Sequence, residues 1–453
     1  MTMFLNRLLR IFFLIFLFGN VTFFTCSVYG APDFKKGSII LDDETDEILT
    51  GWLKKLFQAA GLKGYSPKVF LIVDPELNAA ATVGGVILVH SGLILNAKSA
   101  SELLGVLAHE VGHIAGGHVS RVDSAMDDGL VPAAAAMLLG GAAAIATGDG
   151  APLLAGIMGG AHIMERKLLR FSRTQESSAD QAGLEYLRIL GWPSDGLRDF
   201  LKVVHDKTHT MMAQMDPYAM THPLTQERIN AVEHHCKNRP NKGCIPPEIE
   251  QQFQLLKAKL SGFLDPINVI EQKWSKNSSA ASKYALAIAA YRQGQISKAT
   301  DLLAKMATEV ANDGYIKELE GQILFENGKI NEAIKTLEIA AKKQPKADLI
   351  KVLLAQALLE SQNPESANRA KQLLIPLTQA RKDNAFAWRL LATAYGKENN
   401  LAMASVCLAE EALLQDNYQM AKSHAERANK LFPEGSKESL HARDILKTVS
   451  QKK

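Results

Sequence analysis

Residues Ala100–Val119, ASELLGVLAHEVGHIAGGHV, decide how the first half of the chain is read. The spacing predicts one amphipathic helix, and inside it His109-Glu110-Val111-Gly112-His113 matches the H-E-x-x-H pattern. Four residues make about one helical turn, so both imidazoles face one way and can hold a single Zn²⁺. Glu110 is then turned toward a water on the metal, the place of a general base.

A peptidase centre needs a third protein ligand and an open position. His118 is one candidate, but the longer H-E-x-x-H-x-x-G-x-x-H pattern wants its last histidine at 119, which is Val119. His118 therefore reads as a structural histidine or as support behind the ligands. The better candidate is Glu176, in Ser172-Arg173-Thr174-Gln175-Glu176-Ser177-Ser178-Ala179-Asp180, on a separate helix. Glu176 and Asp180 are one turn apart, so the first can bind metal while the second accepts a hydrogen bond from a ligating imidazole. A solvated acidic face is the alternative, and the upstream motif decides against it. His205 and His209 are also four apart, but Asp206 stands where the catalytic Glu belongs. His234-His235 beside Cys236 lack a partner pair at zinc-site spacing and read as surface.

Around these motifs the pattern gives a capped helix from Asp42 to Ala60, strands at Lys68–Val73 and Val86–His90, and a helix from Glu165 to Leu190. The Val86–His90 strand is expected to pair with an extended substrate. Residues 130–164 are rich in Ala, Gly, Leu and Met and break at Gly148-Asp149-Gly150. They read as a buried helical hairpin, with membrane-surface contact as the alternative. Met211, Met212, Met215 and Met220 mark a weakly periodic segment beside His222, either a lid or a connector.

Beyond residue 275 the chain repeats with a period of 34. Ala287, Gly294, Ala299 and Leu303 recur as Gly321, Gly328, Ala333 and Leu337. Such a period is that of the tetratricopeptide repeat, whose helix pairs need small residues where they cross. Trp388, Leu391, Ala392 and Tyr395, then Ala409, Tyr418, Ala421 and Pro433, mark later units, while 348–384 fits less well. Four or five repeats are expected over 275–450.

With 453 residues, two or three domains are expected, and 51 Lys and Arg against 48 Asp and Glu give no basic face for nucleic acid. Arg7 and Arg10 precede an apolar run from Ile11 to Phe24, an export signal with cleavage after Gly30. An uncleaved anchor is the alternative. In an oxidising compartment Cys236 and Cys244 could close a short disulfide, or stay reduced, whereas Cys407 reads as a buried thiol. The expected fold is mainly α (α+β): a zincin-like metallopeptidase domain with a small β-sheet over 31–265, then a tetratricopeptide α-solenoid over 266–453.

HEVGH within Glu102–His118, the downstream E-S-S-A-D, Asn78–Leu95 and Thr221-His222-Pro223 with Glu227-Arg228-Ile229 together resemble the CAAX-protease-like gluzincin metallopeptidases. With an export signal ahead and repeats behind, the chain is similar to the periplasmic BepA-type protease/chaperones. The resemblance implies His109, His113 and Glu176 as ligands of one Zn²⁺, Glu110 as general base and Asp180 as the group orienting a ligand. It also implies that His222 approaches the metal, as a fourth ligand holding the enzyme latent or as a stabiliser of the tetrahedral intermediate. It further implies a periplasmic endopeptidase and chaperone that degrades misassembled outer-membrane proteins, docking on clients or on the assembly machinery through its repeats. A repeat-based adaptor with a largely latent metal site is the alternative.

Overall fold

The computed structural model describes residues 21–23, 34–119, 173–210, 222–238, 243–310 and 314–451. The export signal (apart from 21–23), the 130–164 stretch and the Met-rich segment 211–220 lie outside the described residues, as does the expected helix before Arg173. Elements are numbered in chain order among those described. Two compact units divide between Lys273 and Trp274.

The first unit is built on a sheet of order β1-β2-β3-β5-β4: β1 (Val21–Phe23), β2 (Ile39–Leu41), β3 (Lys68–Ile72), β4 (Ala79–Thr82) and β5 (Val86–His90). β3 pairs parallel with β5, while β4 runs antiparallel to β5 on its other side. Both edges of β5 are therefore filled, which corrects the expectation that Val86–His90 pairs with substrate. Among the described residues β4 is the edge strand on the β5 side of the sheet, and His90 N–H bonds to Asn78 O at 3.0 Å just beyond its end. Antiparallel alternation then turns the N–H and C=O groups of Ala79 and Ala81 away from β5. Ala81 N–H is accordingly free to donate to Glu110 Oε2, at 2.8 Å.

Helix α1 (Asp43–Ala59) begins where the Asp42 side chain accepts from Thr45 N–H. Leu49, Leu53 and Leu56 on its inner face are fully buried. α2 (Ser91–Asn96) leads into α3 (Ala100–Ala115), whose residues from Leu103 to Val111 are inaccessible or nearly so. Each fully buried Leu or Val there contributes about 1.5–3 kcal/mol. α3 packs on α4 (Arg173–Ile189) and α5 (Asp195–Thr210) through missing side chains. A Cβ on Gly112 would sit 2.6 Å from Ala179 O, and one on Gly183 would sit 2.9 Å from the Ala108 carbonyl carbon. Glycine at these points brings the backbones of α3 and α4 close enough for His109, His113 and Glu176 to meet. α6 (Gln226–Asn238) and α7 (Pro247–Leu264) complete the unit's packing, and α8 (Ile267–Trp274) carries the chain to the division.

The second unit is a series of five helix pairs: α9 (Ala280–Arg292) with α10 (Ile296–Ala307), α11 (Gly314–Glu326) with α12 (Ile330–Lys343), α13 (Asp348–Glu360) with α14 (Glu365–Ala380), α15 (Ala385–Lys397) with α16 (Leu401–Leu414), and α17 (Tyr418–Leu431) with α18 (Lys437–Gln451). Ala287, Ala299, Leu303, Ala333 and Leu337 are all fully buried. Gly294 (φ 72°) and Gly328 (φ 74°) make the left-handed turns inside the first two pairs, and Asn399 (φ 61°) takes that conformation in the fourth. In the poorly matching segment 348–384, α14 runs to 16 residues, against 14 for α12, and contains Pro376. Among the described residues no helix is long and apolar enough to cross a membrane.

Among the described residues the three cysteines, Cys236, Cys244 and Cys407, are unbonded. Cys236 Sγ lies 3.4 Å from Ser194 Oγ, while Cys244 is exposed, so the short disulfide is not formed. Cys407 is fully buried, and burial pushes its thiol up to about 12.

Candidate metal centre

All six residues singled out from the sequence meet in one buried cluster. His109, Glu110, His113, Glu176 and His222 have no accessible surface, and Asp180 has 3%. α3 supplies the first three, α4 supplies Glu176 and Asp180, and His222 lies on the chain entering α6.

His109 Nε2 and His113 Nε2 face each other at 3.1 Å. Glu176 Oε1 lies 3.2 Å from His113 Nε2, and Glu176 Oε2 lies 3.4 Å from His109 Nε2. A four-coordinate metal with bonds of ~2.0–2.1 Å requires neighbouring donors about 3.3 Å apart, so the two imidazole nitrogens with one Glu176 oxygen fit one ion. His222 Nδ1 stands 3.1 Å from Glu176 Oε1, and the four side chains together form a group able to hold a metal. The remaining nitrogens of both α3 histidines are engaged: His109 Nδ1 lies 2.8 Å from Asp180 Oδ1, and His113 Nδ1 lies 3.1 Å from His118 Nδ1. Each ring is thus oriented with Nε2 toward the centre.

Glu110 is held differently. Oε2 accepts from Ala81 N–H, while Oε1 is buried without a hydrogen-bond partner, 3.6 Å from His222 Nε2. Burial raises the Glu110 carboxyl above its ordinary range, against the pull of His222 and His109, which favours a group that takes and returns protons. Burial also opposes charge on His109, but Asp180 and Glu176 outweigh it and lift His109 to about 10. Burial lowers His113 to about 3 despite Glu176. Burial disfavours the Glu176 and Asp180 carboxylates too, but is outweighed. His222, His109 and His113 hold Glu176 well below the usual range, and His109 and Arg228 do the same for Asp180.

The model of peptidase family M48 matches residues 44–236, the span holding every residue of this cluster. Residues 44–236 are thus similar to an M48 peptidase domain. The chain is 26% identical over 413 residues to the beta-barrel assembly-enhancing protease of Escherichia coli (strain K12), covering 86% of this chain and 81% of that one. It is 26% identical over 338 residues to the protein of that name from Yersinia pestis, covering 72% and 67%. A putative one from Vibrio cholerae is 26% identical over 381 residues, covering 81% and 76%. The similarity runs beyond the residues that match M48, and the chain is a metalloprotease resembling the BepA type.

One member of the cluster, Arg228, carried no assigned role in the sequence, while His118 takes the supporting place behind a ligand read for it there. Arg228, in the first turn of α6, reaches Glu176 and Asp180, and His118 backs His113. The rival histidines lie elsewhere. His205 sits on α5 with Nδ1 3.6 Å from Asp206 Oδ1, the His209 side chain is outside the described residues, and His234 is paired with Asn238 on an exposed face.

Proposed function

We propose that the chain is a periplasmic zinc-dependent endopeptidase, exported by a signal removed after Gly30, that cleaves unfolded or misassembled outer-membrane proteins. The repeats, read as tetratricopeptide units, would present clients or dock on their assembly machinery. The observation that carries the catalytic part is the convergence of His109, His113 and Glu176 at metal-compatible distances, with a buried Glu110 oxygen beside them. The substrate and compartment rest on the names and likeness of the relatives.

In this reading His109, His113 and Glu176 hold the zinc, which when bound supplies Lewis acidity to water and to the scissile carbonyl. Asp180 keeps the proton of His109 on Nδ1. Glu110 Oε1 takes a proton from the attacking water and passes it to the leaving amine, while Ala81 N–H fixes the other carboxylate oxygen. An extended peptide laid along β4 would meet the outward-turned groups of Ala79 and the outward-turned carbonyl of Ala81. Backbone recognition of this kind favours unfolded chains of varied sequence.

The seat of His222 between Glu176 and Glu110 favours a second, compatible reading, in which the centre rests latent and the repeats act as a chaperone meanwhile. The test is Glu110→Gln with an unfolded outer-membrane β-barrel protein as substrate. Loss of cleavage with client binding kept supports the mechanism, and cleavage at the wild-type rate contradicts it.

A further inference from the structure

One guanidinium touches both carboxylates of the α4 pair. Arg228 Nη1 lies 2.7 Å from Glu176 Oε2 as an ion pair without hydrogen-bond alignment, while Nε and Nη2 donate to Asp180 Oδ2 and Oδ1 at 2.7 and 2.9 Å. Nη1 also donates to Pro223 O at 3.0 Å, next to His222. Arg228 is 3% exposed, so these contacts are made out of water. A charge buried in this way persists only where it is matched and hydrogen-bonded. Here the matching is close: Glu110, Glu176 and Asp180 bring three negative charges, and Arg228 with a divalent metal would bring three positive ones.

We propose that Arg228 is the positioning residue that keeps Glu176 a one-oxygen ligand, by holding Oε2 and leaving Oε1 to the metal. The proposal rests on the reading of Glu176 as a metal ligand. Oε2 is 3.4 Å from His109 Nε2 and 2.7 Å from the guanidinium, so the guanidinium is its nearer partner. Released from Arg228, Glu176 would turn both oxygens to the ion and fill the open position that a hydrolytic centre keeps for water. Charge alone does not do this work. The planar fork reaches Asp180 with two nitrogens while a third holds Glu176, and a lysine ammonium at that position has no such geometry.

The test uses the full chain reconstituted with Co²⁺, whose visible absorption is strong in four-coordinate sites and weak in five-coordinate ones. Wild type, Arg228→Lys and Glu176→Gln are compared in absorption per cobalt and in Kd for Co²⁺, with circular dichroism confirming the fold. Arg228→Lys keeps the charge, and its absorption per cobalt is expected to fall while its Kd rises by about 10–100-fold, the usual cost of losing a group behind a ligand. A folded Arg228→Lys with wild-type absorption and Kd overturns the proposal. If Glu176→Gln leaves Kd unchanged, the ligand assignment of Glu176 fails instead, and the proposal falls with it. If Glu176→Gln weakens binding while Arg228→Lys does not, only the positioning role fails. Should Arg228→Lys not fold, the double variant Arg228→Gln with Asp180→Asn removes opposite charges together. It leaves an Asn oxygen for His109, and the absorption per cobalt, compared with that of Asp180→Asn alone, then decides.

Discussion

His222 Nδ1 stands 3.1 Å from Glu176 Oε1, and the opposite nitrogen of the same ring lies 3.6 Å from Glu110 Oε1. One imidazole thus lies between the proposed third ligand and the proposed base, where a substrate carbonyl and its water would have to enter. If it acts as a latch, His222→Ala should raise the rate of proteolysis of an unfolded substrate by roughly tenfold, the effect of a latch worth about 1.4 kcal/mol. A fall in kcat with unchanged KM would assign His222 to stabilising the transition state instead.

The close approach of α3 and α4 depends on Gly112, where an added Cβ would lie 2.6 Å from the Ala179 oxygen. Gly112→Ala should cost about 1–3 kcal/mol through overpacking, lower the melting temperature and weaken metal binding. Calorimetry with a metal titration checks both. Wild-type values for both would mean that the two helices part without consequence.

Lys257 on α7 donates to Ala97 O and lies 5.7 Å from the centre of the Phe253 ring. Burial, with Lys273 nearby, lowers its ammonium from 10.5 to about 8. Between those values the folded chain holds fewer protons than the unfolded one, so stability contributed at this site rises with pH across that window. The melting temperature of wild type relative to Lys257→Met should therefore climb between pH 8 and 10.5. A difference independent of pH would show that Lys257 titrates normally.

The candidate site was legible because its signals are local. The four-residue spacing of His109 and His113 is one helical turn, and Glu176 and Asp180 repeat it on α4. The glycines and alanines at 34-residue spacing report the crossings of helix pairs in the same direct way. Arg228 had no such signal. It lies 48 residues from Asp180, in a polar helix start that resembles any solvated face until the fold buries it. β4 was also silent, since Ala79-Ala80-Ala81-Thr82 has little β-branched character. Its small side chains let α3 approach, a tertiary reason that no propensity encodes. Missing β4 led to the wrong edge for substrate, because strand order depends on which later segment inserts beside β5.

The central claim is that His109, His113 and Glu176 bind one catalytic zinc, and the most direct measurement is zinc per chain in the purified protein and in Glu176→Gln after equal dialysis. The account predicts one zinc per chain in wild type and much less in the variant, whether or not the wild type is proteolytically awake. A wild type that holds no zinc even after reconstitution, or a variant that retains it fully, would contradict it.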